Sequence, residues 1–139
     1  MSRSMRLALL LFVLGLSFAV PDTAQAQVAD GGGCAGQFDT DICIACTGVG
    51  YPLTTHSNFF VNDFTTVDPY GYGSLYLCID GVGCYYKYSA FTDHYGEYPT
   101  SYHEVYGTGQ ATTEVDFYSY SSSYLATGVS PVQYWFPNP

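Results

Sequence analysis

The residues of this chain with the means to do chemistry are its cysteines, its histidines, its carboxylates and an excess of tyrosine. Cys43-Ile44-Ala45-Cys46 has the spacing of a dithiol redox centre. Such a centre needs a low-pKa thiol at a helix N-terminus inside a strand–helix–strand unit. The β-rich text that follows offers no such frame, so a structural role is expected. Cys43, Cys46, Cys78 and Cys84 together would make four thiolate ligands for zinc. The Cys-x5-Cys spacing of the second pair is wide for a zinc knuckle, and an oxidising compartment disfavours thiolate sites.

His94 and His103 lie either side of Pro99, with Asp93, Glu97 and Glu104 nearby. A hairpin turning at Pro99 would bring the two imidazoles together, and imidazole with carboxylate suits zinc or copper. A slip of one residue would put them on opposite faces. Glu104 with Glu114 or Asp116 is the obvious carboxylate pair for glycoside hydrolysis. That chemistry needs a deep cleft and one carboxyl with a raised pKa, which a short chain barely supplies. Asp39-Thr40-Asp41 lacks the glycine and distal glutamate of a calcium loop. A serine nucleophile elbow and a phosphate-binding glycine loop are also missing. No catalytic residue, metal or cofactor is assigned.

The aromatic content is the strongest anomaly. All fifteen tyrosines follow residue 26, together with Trp135. Tyr85-Tyr86, Tyr118-Ser119-Tyr120 and Tyr134-Trp135-Phe136 place rings on both faces of their strands. A strand in a two-layer fold buries one face, so some rings must be exposed. Tyr76, Tyr86, Tyr88, Tyr118 and Tyr120 form the expected binding surface. Exposed tyrosine brings contact area at low entropic cost, which suits a glycan or a protein ligand.

The element that must position these rings is the stretch from Gly73 to Ala90. Two runs rich in Leu, Ile and Tyr flank Asp80-Gly81, a strong hairpin signal. A loop of Asp80 to Val82 sets Ile79 opposite Gly83, Cys78 opposite Cys84 and Tyr76 opposite Tyr86. Directly opposed cysteines are close enough to bridge. In this register Leu75, Leu77 and Ile79 mark the core, while Tyr76, Tyr86, Tyr88 and the Cys78–Cys84 bridge face out. Cys34 is expected to bridge Cys46, with Cys43 possible in its place. One thiol of five is left over, free or linked to another chain.

Elsewhere the chain reads as strands separated by turns. Thr112 to Tyr120 alternates best, with Thr113, Val115 and Phe117 against Glu114, Asp116 and Tyr118. Ser57–Thr66, Tyr102–Tyr106, Tyr124–Thr127 and Val132–Phe136 are further candidates. Turn signals recur every 8 to 12 residues or so, and no sustained 3.6-residue period is present. The fold class is therefore all-β: a small antiparallel β-sandwich or barrel, disulfide-stapled, with an irregular cysteine-rich N-terminal segment.

Arg3 and Arg6, the apolar run Leu7–Val20 and Ala24-Gln25-Ala26 read as a cleaved Sec-type signal over residues 1–26. Residues 27–33 then form a flexible glycine-rich lead-in, and residues 34–139 a single β domain. The expected location is secreted, periplasmic or extracellular. Removing the signal leaves Lys87 as the one strong cation and a net charge of about −10. Nucleic acid is a poor partner for such a chain, because phosphate contacts need Lys and Arg. No membrane span is expected. The leading reading is an exported, non-enzymatic binding module. The alternatives are a tyrosine-rich matrix or filament subunit, joined through the odd cysteine or a sheet edge, and a small metal-binding protein using His94 and His103.

Overall fold

The computed structural model describes residues 25–46 and 49–138. The expected signal, up to residue 24, lies outside the described residues. In chain order the strands are β1 (Gln27–Gly31), β2 (Gly33–Gln37), β3 (Thr40–Cys46), β4 (Val49–Gly50), β5 (Leu53–Val61) and β6 (Tyr72–Ile79). They continue as β7 (Gly83–Phe91), β8 (Gly96–Glu97), β9 (Ser101–Val105), β10 (Gly109–Tyr118), β11 (Tyr124–Val129) and β12 (Gln133–Pro137). The larger sheet runs β4-β1-β12-β10-β6-β7, with β11 also paired to β10. The smaller runs β2-β3-β5-β8, with β9 also on β5. Every pairing is antiparallel. The chain is all-β and stapled by two disulfides, as expected.

Two strands show why the layers form. In β5, Leu53, Thr55, Ser57, Phe59 and Val61 are buried while the residues between them are not. In β10, Ala111, Thr113, Val115 and Phe117 are buried in the same way. This period of two gives each sheet one inward face. The buried apolar side chains fall into two clusters. Ile42, Phe59, Val61, Leu75, Val115 and Phe117 belong to the first, with Val67 and Tyr98. Ile44, Leu53, Leu77, Val105, Ala111 and Trp135 form the second. Between them along the strands lie Ser57 and Thr113, both buried, and Thr113 Oγ1 donates to Ser57 Oγ across the sheets at 2.8 Å.

The N-terminal part departs from expectation. Residues 27–33 are not a loose lead-in. β1 pairs with β12 from Gln27↔Pro137 to Gly31↔Gln133, and Gln27 is buried. Gly31, Gly32 and Gly33 carry positive φ angles of 76°, 79° and 109°. These glycines carry the chain from β1 in the larger sheet to β2 in the smaller, through a backbone region that other residues rarely adopt. A Cβ on Gly32 would also lie 2.8 Å from the Ile44 carbonyl oxygen.

The cysteine-rich segment is a hairpin rather than an irregular stretch. Phe38 and Asp39, both at positive φ, make the two-residue turn between β2 and β3. That register sets Cys34 opposite Cys43, and these two form the bridge. Cys46 lies three residues further along β3, opposite Thr55 of β5, and remains a free thiol. The turn, not the cysteine spacing, decides the pairing. In the chain-entropy picture each of the two bridges contributes about 2 to 3 kcal/mol.

Tyr98 anchors the sandwich where β8 leads towards β9. It is fully buried, stacked on Phe59 at 4.5 Å, and its hydroxyl donates to the His94 carbonyl at 2.8 Å while accepting the His94 N–H at 3.2 Å. Tyr98→Phe is expected to cost about 1–3 kcal/mol through the unpaired backbone groups. Tyr98→Ala is expected to cost about 3–5 kcal/mol through the cavity left behind. Urea unfolding of the two variants measures both; an unchanged Tyr98→Phe would contradict the role of the hydroxyl, and equal losses would contradict that of the ring.

Candidate binding face

The outer face of the larger sheet collects the side chains of β7, β6, β10 and β11 that point away from the core. Antiparallel register sorts them into cross-strand rows. One row is Phe91, Tyr72, Tyr118 and Tyr124. The next is Ser89, Ser74, Asp116 and Thr127. The third is Tyr86, Tyr76, Glu114 and Val129. The Cys84–Cys78 bridge and Thr112 make the fourth.

The rings interact along these rows. Tyr72 and Tyr118 stack with centroids 4.9 Å apart, and Tyr124 meets Tyr118 edge-on at 6.1 Å. Tyr76 and Tyr86 meet edge-on at 5.7 Å. Hydroxyls tie the rows together. Tyr86 Oη shares a hydrogen bond with Ser89 Oγ (2.9 Å), which shares another with Ser74 Oγ (2.7 Å). Thr127 Oγ1 donates to Asp116 at 2.6 Å and shares a hydrogen bond with Tyr124 Oη at 2.8 Å. Much of the face stays open: Phe91, Tyr124 and Tyr86 are 73%, 60% and 59% exposed. Desolvation by its neighbours, then the nearby Asp116 carboxylate, holds the Tyr118 phenol above its ordinary pKa.

Of the tyrosines expected on this surface, the structure brings together Tyr76, Tyr86 and Tyr118. Tyr88 does not join them. Leu75 pairs with Tyr88 and Tyr76 with Tyr86, so Lys87 is an extra residue in β7. This bulge shifts the strand's alternation by one. Tyr88 therefore packs against the first core cluster, and its hydroxyl donates to the Pro99 carbonyl. Tyr120 sits in the turn after β10, 81% exposed, with its N–H donating to Asp68 Oδ2 at 2.9 Å. Asp68 Oδ1 also accepts the Tyr70 N–H, and these two backbone donors hold the Asp68 carboxyl below the usual range. Tyr72, Tyr124 and Phe91 complete the face and were not foreseen. Tyr72 shares the parity of Tyr76, which is the signal that points to it; Tyr124 and Phe91 depend on pairings the sequence does not display.

Cys43 is consumed in its bridge, and burial pushes the Cys46 thiol up to about 11. A thiol so protonated is a poor redox nucleophile. His94 Nδ1 pairs with Asp93 at 2.8 Å in the turn before β8. His103 lies in β9, where its Nδ1 accepts from Lys87 Nζ at 2.8 Å beneath the Tyr85 ring. An ammonium at that nitrogen opposes metal binding, and the two histidines keep separate partners. Among the described residues the ligand atoms that converge are those of Cys78, Cys84 and Glu114, within 4.8 Å. Both sulfurs are committed to the disulfide. Glu104 stands on β9 of the smaller sheet, apart from Glu114 and Asp116 on the outer face of the larger. A cleft of about 490 Å³ adjoins the fourth row, between the bridge, Val82, Gln110 and Val132.

Among the described residues no helix is long and apolar enough to cross a membrane. Two disulfides in so short a chain fit an oxidising environment. The chain matches no family model, no curated protein and no solved structure.

The two bonded histidines should titrate in opposite directions. Asp93 raises the His94 pKa, whereas desolvation first and Lys87 second lower that of His103. His103 binds its proton more weakly folded than unfolded. Its contribution to stability is therefore present above about pH 6.5 and is lost as pH falls towards the lowered value. Nuclear magnetic resonance titration is expected to place His94 above and His103 below the free imidazole, with Lys87→Met raising His103 alone. A His103 that titrates with His94 would contradict the Lys87 contact.

Proposed function

We propose that this protein is an exported, non-enzymatic binding module, acting at or outside the cell envelope. It holds a glycan or protein ligand on the outer face of its larger sheet. The observation that carries this reading is the aromatic row across four adjacent strands, from Phe91 through Tyr72 and Tyr118 to Tyr124. Beside it lie two carboxylates and a set of hydroxyls on the same face. Aromatic area of this extent, left exposed, marks an interaction surface. Ring contacts hold Tyr72, Tyr118, Tyr124, Tyr76 and Tyr86, and hydroxyl bonds to Ser89 and Thr127 also fix Tyr86 and Tyr124, so these rings have little side-chain entropy left to lose on binding. Tyrosine, serine and threonine with a few acids is also the composition of adaptable recognition surfaces.

Support for export comes from the signal-like N-terminus together with the two bridges. The free thiol does not favour a cysteine-linked filament, since Cys46 is partly buried and strongly protonated.

A parallel screen against a glycan array and a peptide array tests the proposal. At least one ligand is expected to be captured and then lost about tenfold or more in Tyr76→Ala/Tyr118→Ala, a loss on the hot-spot scale. Tyr102→Ala, which removes an exposed ring from β9 of the smaller sheet, is expected to leave capture intact. Capture that survives the double substitution would move the site off this face.

A further inference from the structure

We infer that the ligand of this face is a basic protein segment in extended form, with arginine side chains seated on Glu114 and Asp116. The inference rests on the outer face being the binding surface.

Charge is the first reason. Glu114 and Asp116 are alternate residues of β10, both partly buried on the outer face. Asp116 accepts one hydrogen bond, from Thr127. The Glu114 carboxylate has neither a hydrogen-bond nor an ion-pair partner among the described residues. The one ion pair among those residues is His94 with Asp93, away from this face. The single strong cation after residue 26, Lys87, is turned to His103 on the other side of the sheet. The face therefore carries two carboxylates, already partly stripped of water, with no counter-charge of its own. A neutral glycan leaves that charge uncompensated, while an anionic glycan, a nucleic acid or an anionic membrane is repelled. A cationic ligand completes it.

Geometry is the second reason. Alternate side chains on one face of a strand repeat at about 7 Å. An extended peptide lying along β10 presents its own alternate side chains at the same repeat, so an Arg-x-Arg segment matches Glu114-x-Asp116. Rings bracket both carboxylates: Tyr76 and Tyr86 share the row of Glu114, and Tyr72 and Tyr118 form the row beyond Asp116. A guanidinium can stack on an aromatic ring while its fork engages a carboxylate, which an ammonium does less well.

The test uses a short capped peptide of alternating serine and arginine, and its counterpart with citrulline in place of arginine. Titration calorimetry at physiological salt is expected to show the arginine peptide binding at least about tenfold tighter than the citrulline one. Glu114→Gln/Asp116→Asn is expected to remove about tenfold or more of that affinity. Asp63→Asn/Glu104→Gln, which deletes the same charge beside the smaller sheet, is expected to change it less than about twofold. Tyr76→Ala/Tyr118→Ala is expected to weaken it as well. Equal losses from both charge-deleting pairs would reduce the effect to unspecific attraction and overturn the inference, as would equal binding of the citrulline peptide. Failure of the arginine peptide, alongside glycan capture that depends on Tyr76 and Tyr118, would overturn the basic ligand and leave the binding face standing. Loss of neither ligand in the tyrosine variant would overturn both.

Discussion

The hydroxyl of Thr113 sets which way the central strand faces. It donates to Ser57 across the sandwich, while the Thr113 N–H donates to Ser130 Oγ and its carbonyl accepts the Ser130 N–H. Groups so deeply buried must be paired, and the cost of leaving one unpaired is about 1–3 kcal/mol. A one-residue slip of β10 would break all three contacts and turn Glu114 inward. With Thr113 inside, Val115 and Phe117 fill the core, and Glu114, Asp116 and Tyr118 face out. β6 follows in register, with Leu75 and Leu77 inward and Tyr72 and Tyr76 outward. The proposed binding face is thus the reverse side of a polar contact in the core.

Near absence of cations shapes the rest. A chain with a single strong cation beyond residue 26 cannot rely on salt bridges, so its carboxylates take backbone and hydroxyl partners instead. Asp68 holds the turn after β10 through the Tyr120 N–H, which fixes where β11 begins and so where Tyr124 stands. Lys87 serves the contact between the sheets rather than the surface. On the outer face of β10, Glu114 and Asp116 stand without a counter-charge of their own.

Some of this was legible in the sequence. The Asp80-Gly81 turn and the matched cysteines announced the β6–β7 hairpin and its first pairings, because turn and bridge are local constraints. The alternation of Thr113, Val115 and Phe117 announced the inward face of β10, because burial imposes a period of two. The bulge at Lys87 was not legible: no local pattern marks it, and it turns Tyr88 inward while Lys87 meets His103 of the other sheet. Nor was β1, whose partner β12 lies about a hundred residues away and whose closing glycines resemble a linker. The Cys34 pairing turned on a Phe38-Asp39 turn at positive φ, which carries no glycine to mark it. Tyr72 and Tyr124 became neighbours of Tyr118 through β6–β10 and β10–β11 pairings that no local pattern reveals.

Through-space proton contacts among the tyrosine rings, measured by nuclear magnetic resonance in solution, test the central claim most directly. The account predicts ring contacts of Tyr72 with Tyr118 and of Tyr76 with Tyr86, with Tyr88 instead touching the buried cluster. A Tyr88 ring in contact with Tyr86, or Tyr118 without Tyr72, would mean a different register, and the proposed binding face would not exist.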